Sequence, residues 1–301
     1  EHATDRFNGA AAIWCQPMYL DMAMDAMNLA KKVGDEKRAK EYEKLALKIY
    51  KGNKKQYEGF NTHDNNENTG WFIYDDIQWW TITLARAYAQ FGKKEMLKYS
   101  EEAFSRVWYG SKKVGDTGSY DSEAGGMFWQ WQPIKNPKPN RPWHGKMACI
   151  NFPTVVACME LYKVVPENRK PSSDEVPLYQ TREQYLAKAK EIYAWAVDHL
   201  FNSETGLVAD HIHGDRPNWK GHVYNQATFI GASAMLYQVT GEKHYLDNAI
   251  KATDYVVNVM SARHGVLPFE RGIEQGIYTA IFAEYVDILV HDLGQTQYLP
   301  F

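Results

Sequence analysis

Three times along this chain a helical stretch ends on a glycine, and charged residues open the next stretch within a few positions. The cassettes are Ala30-Lys31-Lys32-Val33-Gly34-Asp35-Glu36, Tyr88-Ala89-Gln90-Phe91-Gly92-Lys93-Lys94 and Tyr237-Gln238-Val239-Thr240-Gly241-Glu242-Lys243. Glycine suits the left-handed position that closes a helix, so each cassette reads as the tight turn of an αα-hairpin. Apolar residues recur at helical spacing around them, as in Ile77, Thr81, Leu84, Ala85 and Tyr88, while strand signals are scarce. The pattern predicts helices near residues 10–32, 36–51, 75–91, 93–108, 147–165, 181–201, 224–240, 242–260 and 273–292. The connections between hairpins, at 52–74, 109–146, 202–223 and 261–272, are long and rich in Gly, Asn, Pro, His and Trp. Short turns at one end and long loops at the other describe a ring of antiparallel helix pairs with its decorated loops on one rim. The chain is therefore expected to be one all-α domain over residues 1–301, with 166–180 a plain linker on the opposite rim.

Composition narrows what such a ring can act on. The chain has 34 basic and 37 acidic side chains, a net charge of -3, and so lacks the basic footprint of a nucleic-acid binder. No apolar run approaches the ~20 residues of a membrane helix, and no secretory leader opens the sequence, which reads as a soluble or already processed chain. Cys15, Cys149 and Cys158 are too few for a disulfide framework and are not at metal-ligand spacing. The aromatic count is high, with ten Trp, twenty Tyr and twelve Phe, many beside Gly, Asn and Pro.

In a ring of this kind the first helix of every pair starts at the decorated rim, and those starts carry amides, carboxyls and indoles. Trp14 lies near the first; Tyr74 and Trp79 belong to Tyr74-Asp75-Asp76-Ile77-Gln78-Trp79-Trp80; Asn151 lies in the helix after Lys146; Tyr224-Asn225-Gln226 open another; Glu270 precedes the last; and the loop before residue 147 supplies Trp129 and Trp131. Flat aromatic faces pack on sugar rings while amides and carboxylates pair with hydroxyls, so these residues are the candidate sugar contacts. Asp75 and Asp76 are the candidate catalytic pair. Asp75 also fits an N-cap with Gln78 three residues on, a purely structural role. Two carboxyls held close and screened by tryptophans favour one charged and one protonated group, which is the equipment of a glycosidase. Asp64-Asn65-Asn66-Glu67-Asn68 alternates oxygen ligands as a calcium loop does, but Thr69 stands where its glycine belongs. His211, His213 and His222 lack zinc spacing. No metal and no organic cofactor is expected.

The run Tyr74-Asp75-Asp76-Ile77-Gln78-Trp79-Trp80 resembles glycoside hydrolase family 76, the endo-α-1,6-mannanases. The likeness extends to Lys146 with Asn151-Phe152-Pro153, to Gly206-Leu207-Val208 with Asp210, and to Tyr224-Asn225-Gln226-Ala227-Thr228-Phe229 ahead of Leu236-Tyr237 and Thr240-Gly241. The resemblance implies an (α/α)6 barrel, hydrolysis of α-1,6-mannan with retention, Asp75 as nucleophile and Asp76 as acid/base. It also implies a monomer acting on α-mannan or manno-oligosaccharides, secreted, periplasmic or at the cell surface. Two departures stand out. The helices counted fall short of the family's twelve, so the C-terminal helices of the barrel are expected to be missing from the chain. Tyr278-Thr279-Ala280 stands where Phe-Lys-Gly belongs. The rival readings are an inactive glycan-binding protein on the same fold, or a barrel enzyme for another neutral glycan. A magnesium-dependent prenyl-transfer site would need an aspartate where Trp79 stands, and the rim lacks the basic cluster an acidic sugar would call for.

Overall fold

A computed structural model describes residues 13–63, 71, 73–129, 145–172, 178–270 and 275–301. Its helices are α1 (Cys15–Lys32), α2 (Glu36–Gln56), α3 (Tyr74–Phe91), α4 (Lys94–Tyr109), α5 (Ala148–Val164), α6 (Arg182–Leu200), α7 (Val223–Thr240), α8 (Lys243–Tyr255) and α9 (Gln275–Asp287). Consecutive helices pair as hairpins α1–α2, α3–α4, α5–α6 and α7–α8, and the odd-numbered helices also pack on one another, α1 on α3, α3 on α5, α5 on α7 and α7 on α9. α9 also meets α1, so the odd helices form an inner ring and the even ones an outer layer.

Sequence sorts the helices into these layers. α5 and α7 carry apolar or small residues on every side and are buried almost throughout, as helices with no solvent face must be. α2 buries only Ala39, Ala46, Tyr50 and Asn53 and gives its remaining surface to lysine and glutamate. The hairpin glycines adopt the expected backbone: Gly92 and Gly241 close α3 and α7 at φ 65° and 68°, and Gly34 lies just past α1 at φ 76°. Among the starts, α2 is capped by Asp35, whose side chain accepts from Arg38 N at 3.0 Å. α6 opens on a capping box in which Gln184 N donates to Thr181 Oγ1 at 3.2 Å and Thr181 N to Gln184 Oε1 at 2.9 Å.

Two expectations change. α2 runs to Gln56, five residues beyond the predicted end at 51, and α8 stops at Tyr255 before a wide π-type turn over Val256–Met260. The molecule is also not purely helical. β1 (Lys146–Met147), β2 (His211–His213) and β3 (Arg216–Asn218) form an antiparallel sheet in the order β1-β2-β3. Strands of two or three residues are too short to show alternation in sequence, and β1 finds its partner only because two decorated loops meet on the rim.

One cation holds the inner ring together away from that rim. Arg86 of α3 bonds Glu160 of α5 at 3.0 Å, lies 3.6 Å from Asp21 of α1, and bonds Glu284 of α9. Tyr285 lies against the same guanidinium, 5.7 Å from ring centre to charge. Four inner helices thus converge on a single guanidinium.

Candidate active site

The decorated rim closes over a cleft of about 270 Å³ lined by Trp14, Asp75, Asp76, Trp79, Trp129, Met147, Cys149, Asp210, His222, Tyr224 and Tyr278. Every inner helix contributes from its N-terminal end: Trp14 precedes α1, Asp75, Asp76 and Trp79 open α3, Cys149 opens α5, Tyr224 opens α7, and Tyr278 lies in the first turn of α9. Helix N-termini present unpaired amide N–H groups and partial positive charge, so the ring points its anion-favouring ends at one spot.

The capping role open to Asp75 is not the one adopted. Ile73 is the N-cap of α3 and makes no side-chain cap, and the Gln78 amide turns away to donate to Thr154 Oγ1 at 2.9 Å. Asp75 instead lies in the first turn, half-buried, with Oδ1 accepting from Asp76 N at 2.9 Å. Asp76 beside it is fully buried. The Cys149 thiol sits against Asp75; burial and the adjacent carboxylate push its pKa well above that of an ordinary thiol, so it remains a neutral hydrogen-bonding group. Tyr224 is pushed well up by burial and by Cys149, Asp210 and Asp75, and so keeps its phenolic proton.

One wall of the cleft is a continuous aromatic arc. Trp79 lies 6.1 Å from Trp14, Trp14 stacks on Tyr278 at 5.9 Å and 17°, Tyr278 on Tyr224 at 4.7 Å and 19°, and Tyr224 stands 5.8 Å from His222. The other wall is polar. Asp210 receives Asn225 Nδ2 at 3.3 Å and holds His211 Nδ1 at 2.8 Å, with His222 Nε2 3.8 Å away.

The sequence-derived candidates therefore divide. Asp75, Asp76, Trp14, Trp79, Trp129 and Tyr224 meet in the cleft. Asn225 reaches it through Asp210. Tyr74, Asn151, Gln226 and Glu270 do not line it, and each holds the scaffold instead. Tyr74 is buried with its hydroxyl donating to Asp116, the same carboxylate that pairs with Arg106 at 2.7 Å. Asn151 accepts from Met127 N at 2.9 Å and donates to Met147 O at 2.8 Å. Gln226 accepts from Val208 N and donates to Gly206 O at 3.0 Å and Ala252 O at 3.2 Å. Glu270 caps α7 by accepting from Val223 N at 2.7 Å and faces His222 Nδ1 at 3.4 Å from behind. Buried loop backbone must find partners, and polar side chains at helix starts are the nearest supply. Trp131 and the stretch Asp64–Asn68 lie outside the described residues. Met147, Cys149, Asp210, His222 and Tyr278 are cleft residues that sequence reasoning did not select. Asp210 stands in a motif that carries the resemblance, Tyr278 marks a departure from it, His222 and Cys149 raise only the question of a metal, and Met147 has no signal of its own.

A ring of helix pairs that gathers a carboxyl pair and an aromatic arc at its helix N-termini defines a helical-barrel glycosidase. Residues 2–300 match the profile of glycosyl hydrolase family 76, and the chain belongs to that family. No curated protein matches it in sequence. Among solved structures, the GH76A α-1,6-mannanase from Salegentibacter sp. HEL1_6 is 26% identical at a TM-score of 0.65, covering 92% of this chain and 70% of that one. An inactive variant of the same enzyme, two consecutive aspartates replaced by asparagine, in complex with α-1,6-mannotriose, is 25% identical at 0.66, over 95% and 73%. The Lin0763 protein from Listeria innocua shares the fold at a TM-score of 0.72 and 22% identity, over 95% and 70%. The chain is a glycoside hydrolase with an α/α-barrel fold.

Proposed function

We propose that the protein is a retaining, endo-acting α-1,6-mannanase in which Asp75 is the nucleophile and Asp76 the general acid/base. The carrying observation is the placement of two consecutive aspartates on the cleft at the start of α3. The Salegentibacter mannanase, in which changing two consecutive aspartates gives an inactive protein that holds α-1,6-mannotriose, supports that reading.

In the first step the Asp75 carboxylate attacks the anomeric carbon while the Asp76 carboxyl gives its proton to the departing glycosidic oxygen. The Asp76 N–H, donating to Asp75 Oδ1 at 2.9 Å, holds the carboxylate in place for that attack. In the second step Asp76 takes a proton from water, the hydroxyl oxygen attacks the same carbon, and Asp75 leaves as carboxylate. The arc of Trp79, Trp14, Tyr278 and Tyr224 gives mannose rings an apolar wall, and Asp210 and His222 meet hydroxyls from the other side. Both walls come from one chain, so a monomer suffices. A polymeric substrate supports a location outside the cytoplasm, as a secreted, periplasmic or cell-surface enzyme; cell fractionation checks this.

The test is incubation with linear α-1,6-mannan, sizing of the products, and proton NMR of the earliest reducing ends. Short oligosaccharides with an initial α anomer are expected. An initial β anomer would make Asp75 a base rather than a nucleophile, release of mannose alone would remove the endo assignment, and binding without cleavage would leave a glycan-binding protein.

A further inference from the structure

Behind the small sheet lies a second, larger cavity, about 760 Å³, that the proposed reaction does not use. The register of the sheet separates the two spaces. Met147 pairs with His211, whereas Lys146 pairs with Ile212 and Ile212 with Pro217. Side chains alternate between the faces of a strand, so Met147 turns to the cleft and the Lys146, Ile212 and Pro217 row turns to the second cavity. Its far wall is α6, with Trp195, Asp198 and His199, and its floor is the turn after α6, with Asn202 and Glu204. Trp219, just beyond β3, stands at the mouth and is 41% exposed.

The chemistry of this lining selects its ligand. Asp121, Asp198, Glu204 and Asp215 bring four carboxyls to it. Lys146 is already committed: its ammonium donates to Asp121 Oδ2 at 2.7 Å and to Gly125 O at 2.5 Å, and stands 5.0 and 5.1 Å over the rings of Phe128 and Trp195. Among the described lining residues, a phosphate or an acidic sugar would meet carboxylates with no cation to spare, and an apolar segment would have to bury them. A neutral hydroxyl-rich chain does neither, because carboxylates accept its hydroxyls while an indole covers its ring face. The cavity is also held in shape before any ligand arrives. Trp195 stacks on His199 at 4.5 Å and 11°, and the loop rests on its ring at Gly125 and Gly126, where any side chain would fall within 2.6 Å of the indole. That leaves Trp219, outside the hydrophobic core, as the exposed aromatic platform.

The two spaces are neighbours along the chain as well: Phe128 lines the second cavity and Trp129 the cleft, as Lys146 and Met147 do. We propose that the cavity bounded by Trp219, Asp198, Glu204, Asp215 and the β1–β3 sheet is an ancillary binding site for a neutral hexose segment of the polysaccharide, remote from the bond being cleaved. This rests on the polysaccharide reading of the cleft. Trp219 is a positioning residue for long substrates and takes no part in bond cleavage.

The experiment pairs activity with binding. For wild type and Trp219→Ala, kcat/KM is measured on long α-1,6-mannan and on α-1,6-mannotetraose. Retardation of Asp75→Asn, with and without Trp219→Ala, is then measured by electrophoresis through gels containing the same mannan. The expected result is a roughly 10-fold loss of kcat/KM on the polymer with the tetrasaccharide rate unchanged, and a similar weakening of retardation; a factor of ten corresponds to about 1.4 kcal/mol. Asp198→Asn and Asp215→Asn, which alter the lining without touching the indole, are expected to weaken retardation in the same direction. Unchanged polymer kinetics and retardation in all three variants would overturn the ancillary site while leaving the mannanase reading intact. If the wild type leaves the mannan uncut, yet Trp219→Ala abolishes retardation, the ancillary site stands and the mannanase reading falls. If the wild type neither cuts the mannan nor is retarded by it, both fall.

Discussion

Asp21→Asn should stabilise this protein at neutral pH, although it deletes one member of an ion-pair network. Asp21 lies buried on α1, where its Oδ2 accepts from Thr83 Oγ1 at 2.5 Å and stands 3.6 Å from Arg86. Arg86 is shared with Glu160 and Glu284, so its charge is already answered by two other carboxylates. Burial outweighs the attraction of Arg86 and the Thr83 bond, with Asp25 and Glu160 adding repulsion, and the carboxyl is pushed up from 3.8 to about 6. In the unfolded chain the group loses its proton near pH 4; in the folded chain it keeps that proton until near pH 6. Within that window the folded state binds more protons than the unfolded one, so the contribution of Asp21 to stability falls as pH rises and is fully lost above it. A shift of about two units at 1.36 kcal/mol each amounts to about 3 kcal/mol. Asparagine keeps the shape and the acceptor for Thr83 without the charge. Urea unfolding of both proteins between about pH 4 and about pH 8 should show the variant gaining up to about 3 kcal/mol on the wild type, most of it between about pH 4 and about pH 6. A difference independent of pH, or one that shrinks as pH rises, would refute the reasoning. Arg86→Met, which strips the buried acids of their counter-charge, should lose about 3–5 kcal/mol at neutral pH in the same assay.

Asp75→Asn and Asp76→Asn should each lower turnover on α-1,6-mannan by at least ~10³, with the double variant little worse than the poorer single one, because both displacement steps need both carboxyls. Near-wild-type turnover in either single variant would remove the assignment. Trp129→Ala should weaken binding of a manno-oligosaccharide to the Asp75→Asn protein by ~1–3 kcal/mol in calorimetric titration, with little change in Tm; a large drop in Tm with affinity unchanged would return Trp129 to the core. Gly231→Ala sets two effects against each other: alanine improves α7 by ~1 kcal/mol, but its Cβ would fall 2.2 Å from Tyr285 of α9. Overpacking of ~1–3 kcal/mol should win, lowering Tm, and because Tyr278 lines the cleft from the same helix, kcat/KM should fall with it. A raised Tm would show that Tyr285 moves aside freely.

How far the site was legible in sequence depended on the kind of signal each residue left. Asp75-Asp76 among tryptophans at a helix start is a local pattern, and its members do meet at the cleft. Tyr74, Asn151, Gln226 and Glu270 lie beside such patterns, but whether a polar side chain faces a cleft or a loop carbonyl depends on which way the loop folds over it. Gln226, one residue after Asn225, points to Val208, Gly206 and Ala252, whereas Asn225 points to Asp210. A helix turns ~100° per residue, so Asn225 and Gln226 reach different partners from one motif.

The helices, their hairpin glycines and the rim on which function gathers were determined by the sequence itself, because helical periodicity and the glycine that ends a helix act within a few residues of chain. Tertiary structure alone decided what depends on groups far apart in that chain. Lys146 and Met147 become a strand only against Ile212 and His211. Arg86 becomes the hub of the ring only where Asp21, Glu160 and Glu284 arrive from three other helices. The cleft wall is completed by His222 and Tyr278, more than a hundred residues from Asp75. Such contacts follow from which loops and helices are brought together when the ring closes, and no short stretch of sequence carries that information.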